Sequence, residues 1–196
     1  MPTSRLEAFS DGVFAIAATL LILNVSVAGG PLSPRLIEIW PSYVAYAVSF
    51  ITIGIIWVNH HLVMSQIRQV NRLFLMLNVL FLMLIAFIPF PTRLLAENIT
   101  RPDSAQAAAV AYGVTLTLTA VLFNALWRYA ATGRRLLRSD ASARTVTGIG
   151  RSYLPGPLLY GAATVVGFLN PYASAALYVA IAIFYVVESS LFGGRT

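Results

Sequence analysis

The 196-residue chain has no cysteine, no lysine and only seven acidic side chains. Without cysteine there are no disulfides, thiolate metal sites or cysteine nucleophiles. Charged residues of both signs make up 10% of the chain, against about a quarter in soluble domains, while 58% is hydrophobic. With a mean hydropathy of +0.78, this is a composition for a bilayer. Also missing are a nucleotide-binding loop, a Gly-x-Ser-x-Gly elbow, a His-Glu-x-x-His helix and a paired-carboxylate site, so no enzyme chemistry is expected. No internal repeat of the inverted-transporter kind is visible. With few acids and no thiols, neither a metal site nor a cofactor is expected.

All 13 basic residues are arginines, and they give a formal charge of +6. In a soluble protein that excess would raise nucleic-acid binding. Here the arginines fall between apolar runs and read as topology determinants, so the expected partner is the lipid bilayer and not nucleic acid. The first apolar run is longer than a signal-peptide core and starts with acids in its first turns, so no cleavable signal is expected.

The uncharged runs predict an all-α integral membrane protein, one domain over 1–196 with six transmembrane helices at about 5–28, 39–66, 70–96, 104–131, 152–169 and 172–192. Ser4-x-x-Glu7 has the spacing of a capping box at the start of the first span, and Ala28-Gly29-Gly30-Pro31 is a stop signal at its end. Pro89-Phe90-Pro91-Thr92 ends the third run, and a loop carrying Arg93 and Glu97 is expected after it. The arginine-rich stretch from Arg128 to Arg151 reads as a loop, and Asn170-Pro171 as a tight turn between the last two spans. The N-terminus, the loops after spans two and four, and the C-terminus together hold ten arginines, Arg195 among them, whereas the other side holds Arg35, Arg93 and Arg101. The positive-inside rule then puts both termini in the cytoplasm of a multi-pass protein of the cell membrane.

The first span carries the unusual chemistry. At about 100° per residue, Phe9, Leu20, Leu23 and Val27 lie within roughly 40° of Ile16, with Gly12 and Thr19 close beside them. Asp11 lies roughly 140° from this stripe and Ser10 roughly 120° from it on the other flank. Lipid contact or ordinary helix packing accounts for such a stripe as readily as a functional surface does. A carboxylate at the membrane boundary needs a partner, and Arg5, six residues away, is not stacked beside it. His60 or His61 is the expected partner, with the Trp57 indole and Asn59 as further donors. A histidine partner would make the site pH-sensitive. Two adjacent histidines point about 100° apart and make a poor metal pair. Tyr112-Gly113 in span four is too short a match to a potassium-filter motif to carry weight.

Arg5-x-x-x-Phe9-Ser10-Asp11 resembles the signature of the prokaryotic relatives in the transmembrane protein 175 family. Gly54-Ile55-Ile56-Trp57-Val58-Asn59-His60-His61, and the stretch from Asn78 to Pro89-Phe90-Pro91-Thr92, are similar to the same family. The resemblance implies a potassium-selective leak channel in which potassium is the permeant ion. It also implies a homotetramer whose first helices line a central pore. It places the constriction at Ile16, Leu20 and Leu23 with Thr19 beside them, and makes Arg5, Phe9, Ser10, Asp11, Trp57, Asn59, His60 and His61 a network supporting the pore helix. Ile and Leu side chains offer no oxygen to a dehydrating ion, so such a ring suits gating by dewetting, and Thr19 is expected to tune selectivity. Two other readings stay open: a small-solute or proton-coupled transporter, for which an intramembrane acid near histidines is an ordinary ingredient, and a scaffold subunit whose stripe is packing.

Overall fold

The structure, a computed structural model, describes residues 3–27 and 32–192. Helix α1 (Ser4–Leu20) tightens into a 3-10 turn at Leu21–Asn24. A short α2 (Leu32–Glu38) leads into α3 (Trp40–Ser65), followed by α4 (Arg72–Phe87), α5 (Pro89–Asn98) and α6 (Pro102–Ala131). Then come α7 (Ala143–Tyr153), α8 (Pro155–Gly167) and α9 (Pro171–Phe192). Among the described residues five helical segments are long and apolar enough to cross a membrane: 4–24, 40–65, 72–98, 102–134 and 171–188. The expected fifth span, 152–169, is instead the 13-residue α8, joined to α7 through Leu154 alone.

Proline opens helices throughout this chain, because the first helical turn needs no N–H from it. Pro41, Pro102 and Pro155 all lie in a first turn. Pro89 does the same, which corrects the expected break at Pro89-Phe90-Pro91-Thr92: the chain passes through Ile88, itself in helical backbone conformation, and resumes as α5, and Arg93 and Glu97 form an i,i+4 ion pair on that helix instead of lying in a loop. The Ser4–Glu7 capping box is also absent. Thr3 precedes the helix, no side chain caps it, and the amide of Glu7 donates to the Thr3 carbonyl. The stop at Ala28-Gly29-Gly30-Pro31 and the C-terminal Arg195 fall outside the described residues. Half of the arginine-rich loop is helical too: Ser142 accepts from the Thr145 amide at 3.0 Å and starts α7. Asn170 caps α9 in the same way, its Oδ1 accepting from the amides of Tyr172 and Ala173 at 3.0 Å each.

Helix α6 is the hub, packing against α4, α5, α8 and α9. Small residues make this possible, with Ala105, Ala108, Ala109 and Gly113 letting neighbouring helices approach its axis. A Cβ added at Gly113 would overlap the hydroxyls of Tyr178 and Thr164, so the Tyr112-Gly113 pair serves helix packing. Tyr112 itself is buried, its hydroxyl 3.0 Å from Ser49 Oγ, which lies 2.9 Å from Thr92 Oγ1. Helix α1 lies at the edge of the bundle against α3 and α4.

Candidate functional site

Helix α1 has two unlike faces. Leu6, Ser10, Phe14, Ala17 and, one step on, Leu21 are buried at spacings of three and four, the period of one helix side. Phe9, Gly12, Ile16, Thr19, Leu20 and Leu23 are exposed on the other, Ile16 at 61% and Leu23 at 69%. The stripe read from the sequence is therefore the face left open by the fold. Thr19 lies on it with its hydroxyl donating back into the helix, Oγ1 lying 2.9 Å from the carbonyl oxygens of both Ala15 and Ile16.

Polar bonds hold the packed side. Asn78, fully buried on α4, donates from Nδ2 to Ser10 Oγ at 3.1 Å, and its Oδ1 lies 2.9 Å from His60 Nε2 on α3. A carboxamide oxygen only accepts, so in this arrangement the hydrogen is on Nε2 and His60 donates. The imidazole is enclosed by aromatic rings, stacked on Phe81 at a 5.7 Å centroid separation and tilted against Phe14 at 5.5 Å. On the flank of α1 nearer α3, Trp57 Nε1 donates to Asp11 Oδ1 at 2.9 Å. Lower down, Asn24 Nδ2 donates to the Pro89 carbonyl at 3.0 Å, tying the end of the same helix to α5.

This geometry corrects the expected partner of Asp11, which is the Trp57 indole and neither histidine. Trp57 and His60 are three residues apart, so they share one broad side of α3 but diverge by about 60°. Trp57 reaches α1 while His60 turns into the junction with α4. His61 is exposed beside Trp57, with ring centroids 6.4 Å apart. Asn59 enters through its backbone, its carbonyl accepting from the Tyr153 hydroxyl at 3.3 Å. Arg5 is exposed and makes no side-chain hydrogen bond or ion pair among the described residues, and Phe9 is on the open face. Asn78, Phe14 and Phe81 complete the anchor and are absent from the expected set. The signal for Asn78 was present, since it is the one strongly polar side chain in the uncharged apolar run from Leu73 to Thr92. The described residues contain no cluster of three or more His, Cys, Asp or Glu with metal-binding geometry.

Fold and site thus define a multi-helix integral membrane protein whose first helix is bolted down on one side and free on the other. Comparison with known proteins gives it a family. Residues 5–89 match the model described as "Endosomal/lysosomal potassium channel TMEM175". A potassium channel of Chamaesiphon minutus is 41% identical over 96% of this chain and 95% of its own length. A potassium channel of Streptomyces collinus is also 41% identical, over 93% and 91%. The crystal structure of a lysosomal potassium-selective channel TMEM175 homolog from Chamaesiphon minutus superposes with a TM-score of 0.87 at 39% identity, covering 95% of this chain and 97% of that one. The chain belongs to the TMEM175 family of potassium channels, which is not an enzyme class.

Proposed function

We propose that this chain forms a leak-type, potassium-selective channel in the cell membrane, as a homotetramer with α1 of each subunit lining a central pore. Ile16, Leu20 and Leu23 are the hydrophobic constriction, and Ser10, Asp11, Trp57, His60 and Asn78 keep each α1 seated in its own subunit. The reading takes the chain as one domain with six spans, α8 supplying the fifth and both termini cytoplasmic. The observation that carries it is the division of α1 into two faces. A helix with Ile16, Leu20 and Leu23 unpartnered, beside a packed side closed by buried hydrogen bonds, is poised to meet copies of itself around an axis. The names of the bacterial relatives support potassium as the ion. Three rings of branched aliphatics, four side chains in each, oppose ion passage by excluding water, a barrier that one polar side chain relieves.

The test is potassium and sodium flux into liposomes carrying wild-type protein or Ile16→Asn. Relieving about 1.4 kcal/mol of the barrier raises the rate about tenfold. Potassium-selective flux that rises in the variant supports the reading. Flux that is absent in both, or saturable with fixed stoichiometry, returns the protein to the scaffold or transporter reading.

A further inference from the structure

The arginines on the two sides of the bundle are treated differently by the fold. Arg35 lies 3.6 Å from Glu38 and Arg93 2.7 Å from Glu97, so each is neutralised by an acid of its own helix, and Arg101 alone of the three on that side has no carboxylate partner among the described residues. On the opposite side Arg68, Arg72, Arg128, Arg134, Arg135, Arg138, Arg144 and Arg151 are all exposed. The one acid in the segments that carry them, Asp140, is taken by Arg138 through contacts of 3.1 and 3.3 Å. The other seven have no carboxylate partner among the described residues.

This surface is built into the fold. The Arg68 amide donates to the Leu136 carbonyl and the Arg138 amide to the Gln66 carbonyl, both at 2.9 Å, an antiparallel bridge that fastens the arginine-rich loop to the α3–α4 connection. Ile67 and Leu137 fill the buried side of that bridge. Arg134 donates to the Ala141 carbonyl and shapes the loop beyond it. Helix α7 then turns Val146, Ile149 and Tyr153 towards the core, the Tyr153 ring 4.8 Å from Phe123. Arg144 and Arg151, two turns apart, fall within about 20° of each other on the opposite face, about 10 Å apart along the axis.

We propose that this face is a docking surface for the headgroup phosphates of anionic phospholipids, with Arg144 and Arg151 on α7 and Arg68, Arg72 and Arg135 around the bridge as phosphate ligands. It rests on the membrane-spanning reading, which puts these loops at headgroup depth. Unpaired guanidinium forks match phosphate oxygens, and an amphipathic helix carrying arginine on its outer face suits the interface plane. Because α3 and α4 carry Trp57, His60 and Asn78, lipid bridging their connection to the α6–α7 loop braces the elements that hold α1.

The experiment is native mass spectrometry of the detergent-purified full chain titrated with phosphatidylglycerol or phosphatidylcholine. Wild type is expected to retain phosphatidylglycerol preferentially. The exposed double substitution Arg144→Gln/Arg151→Gln weakens that retention by roughly fivefold per arginine. Arg144→Lys/Arg151→Lys keeps most of it, and Arg35→Gln/Arg93→Gln on the other side leaves it unchanged. Equal binding of the two lipids by wild type, unchanged affinity in the α7 double variant, or an equal loss in the Arg35/Arg93 variant overturns the proposal. No current is measured, so its failure leaves the channel reading standing.

Discussion

The two faces of α1 differ in how their positions are specified. On the packed face, Ser10, Phe14, Ala17 and Leu21 have neighbours inside the same subunit, and every polar group there has a named partner. On the open face, Ile16, Leu20 and Leu23 are as apolar as any core residue yet touch little of their own chain. Lipid tails are themselves apolar and would accept either face, so hydrophobicity does not decide which side packs. The buried hydrogen bonds do. The buried Asn78 carboxamide finds its acceptor in Ser10 and its donor in His60, and that fixes the rotation of α1 about its axis. The stripe is presented outward as a consequence.

The sharpest way to break this asymmetry is Asn78→Ala. It leaves His60 Nε2 and Ser10 Oγ without their partner in a dry site, at about 1–3 kcal/mol for each unsatisfied group. Thermal unfolding in detergent should show a clear loss of stability, and flux should fall because α1 no longer keeps its rotation. A variant that unfolds like wild type and conducts normally removes Asn78 from the anchor.

The next test puts the same change on each face in turn. Ala17 is 1% exposed, and Ala15, two residues earlier, is exposed. Ala17→Leu forces extra methylenes into a filled space at about 1–3 kcal/mol, whereas Ala15→Leu should stay within about 0.5 kcal/mol of wild type in the unfolding assay. Equal losses would mean that the faces are not distinct. Trp57→Phe is gentler: it removes the indole hydrogen bond to Asp11 but keeps an aromatic ring. Because that bond is solvent-accessible, its loss is expected to cost about 1 kcal/mol or less. A destabilisation as large as that of Asn78→Ala would show that Asp11, and not Ser10, is the principal anchor.

Much of this was legible in the chain because bilayer physics writes long uncharged runs. The periodicity of α1 identified its exposed stripe, and Asn170-Pro171 marked a true helix boundary. The errors cluster where one residue type serves two ends. Pro89 looks like a stop because it removes an N–H, yet the same property suits the first turn of α5. The arginines of 128–151 hid α7, whose apolar side is only Val146, Ile149 and Tyr153. In the site, Asp11 was rightly expected to need a donor, but which α3 side chain reaches it depends on a rotation of about 60°, set by Asn78 on another helix. A pairwise reading of charges favours histidine. The three-helix geometry gives that histidine to an amide and the carboxylate to an indole.

Thr19 gives the smallest and most specific test, because it is the oxygen-bearing side chain beside the proposed constriction residues Ile16, Leu20 and Leu23. Its hydroxyl hydrogen is committed to the Ala15 and Ile16 carbonyls, which leaves the oxygen lone pairs as its only free capacity. A donor would repel a cation, and an acceptor held in this way can replace one water of its shell. Thr19→Ala removes that oxygen from an exposed position and should leave unfolding within about 0.5 kcal/mol of wild type. If the oxygen discriminates between ions by about 0.6 kcal/mol, the potassium-to-sodium permeability ratio falls about threefold, and Thr19→Ser, which keeps the oxygen, restores it. An unchanged ratio in Thr19→Ala would assign selectivity to the aliphatic ring alone, so that the open face of α1 would have to choose between ions by its width and its dryness.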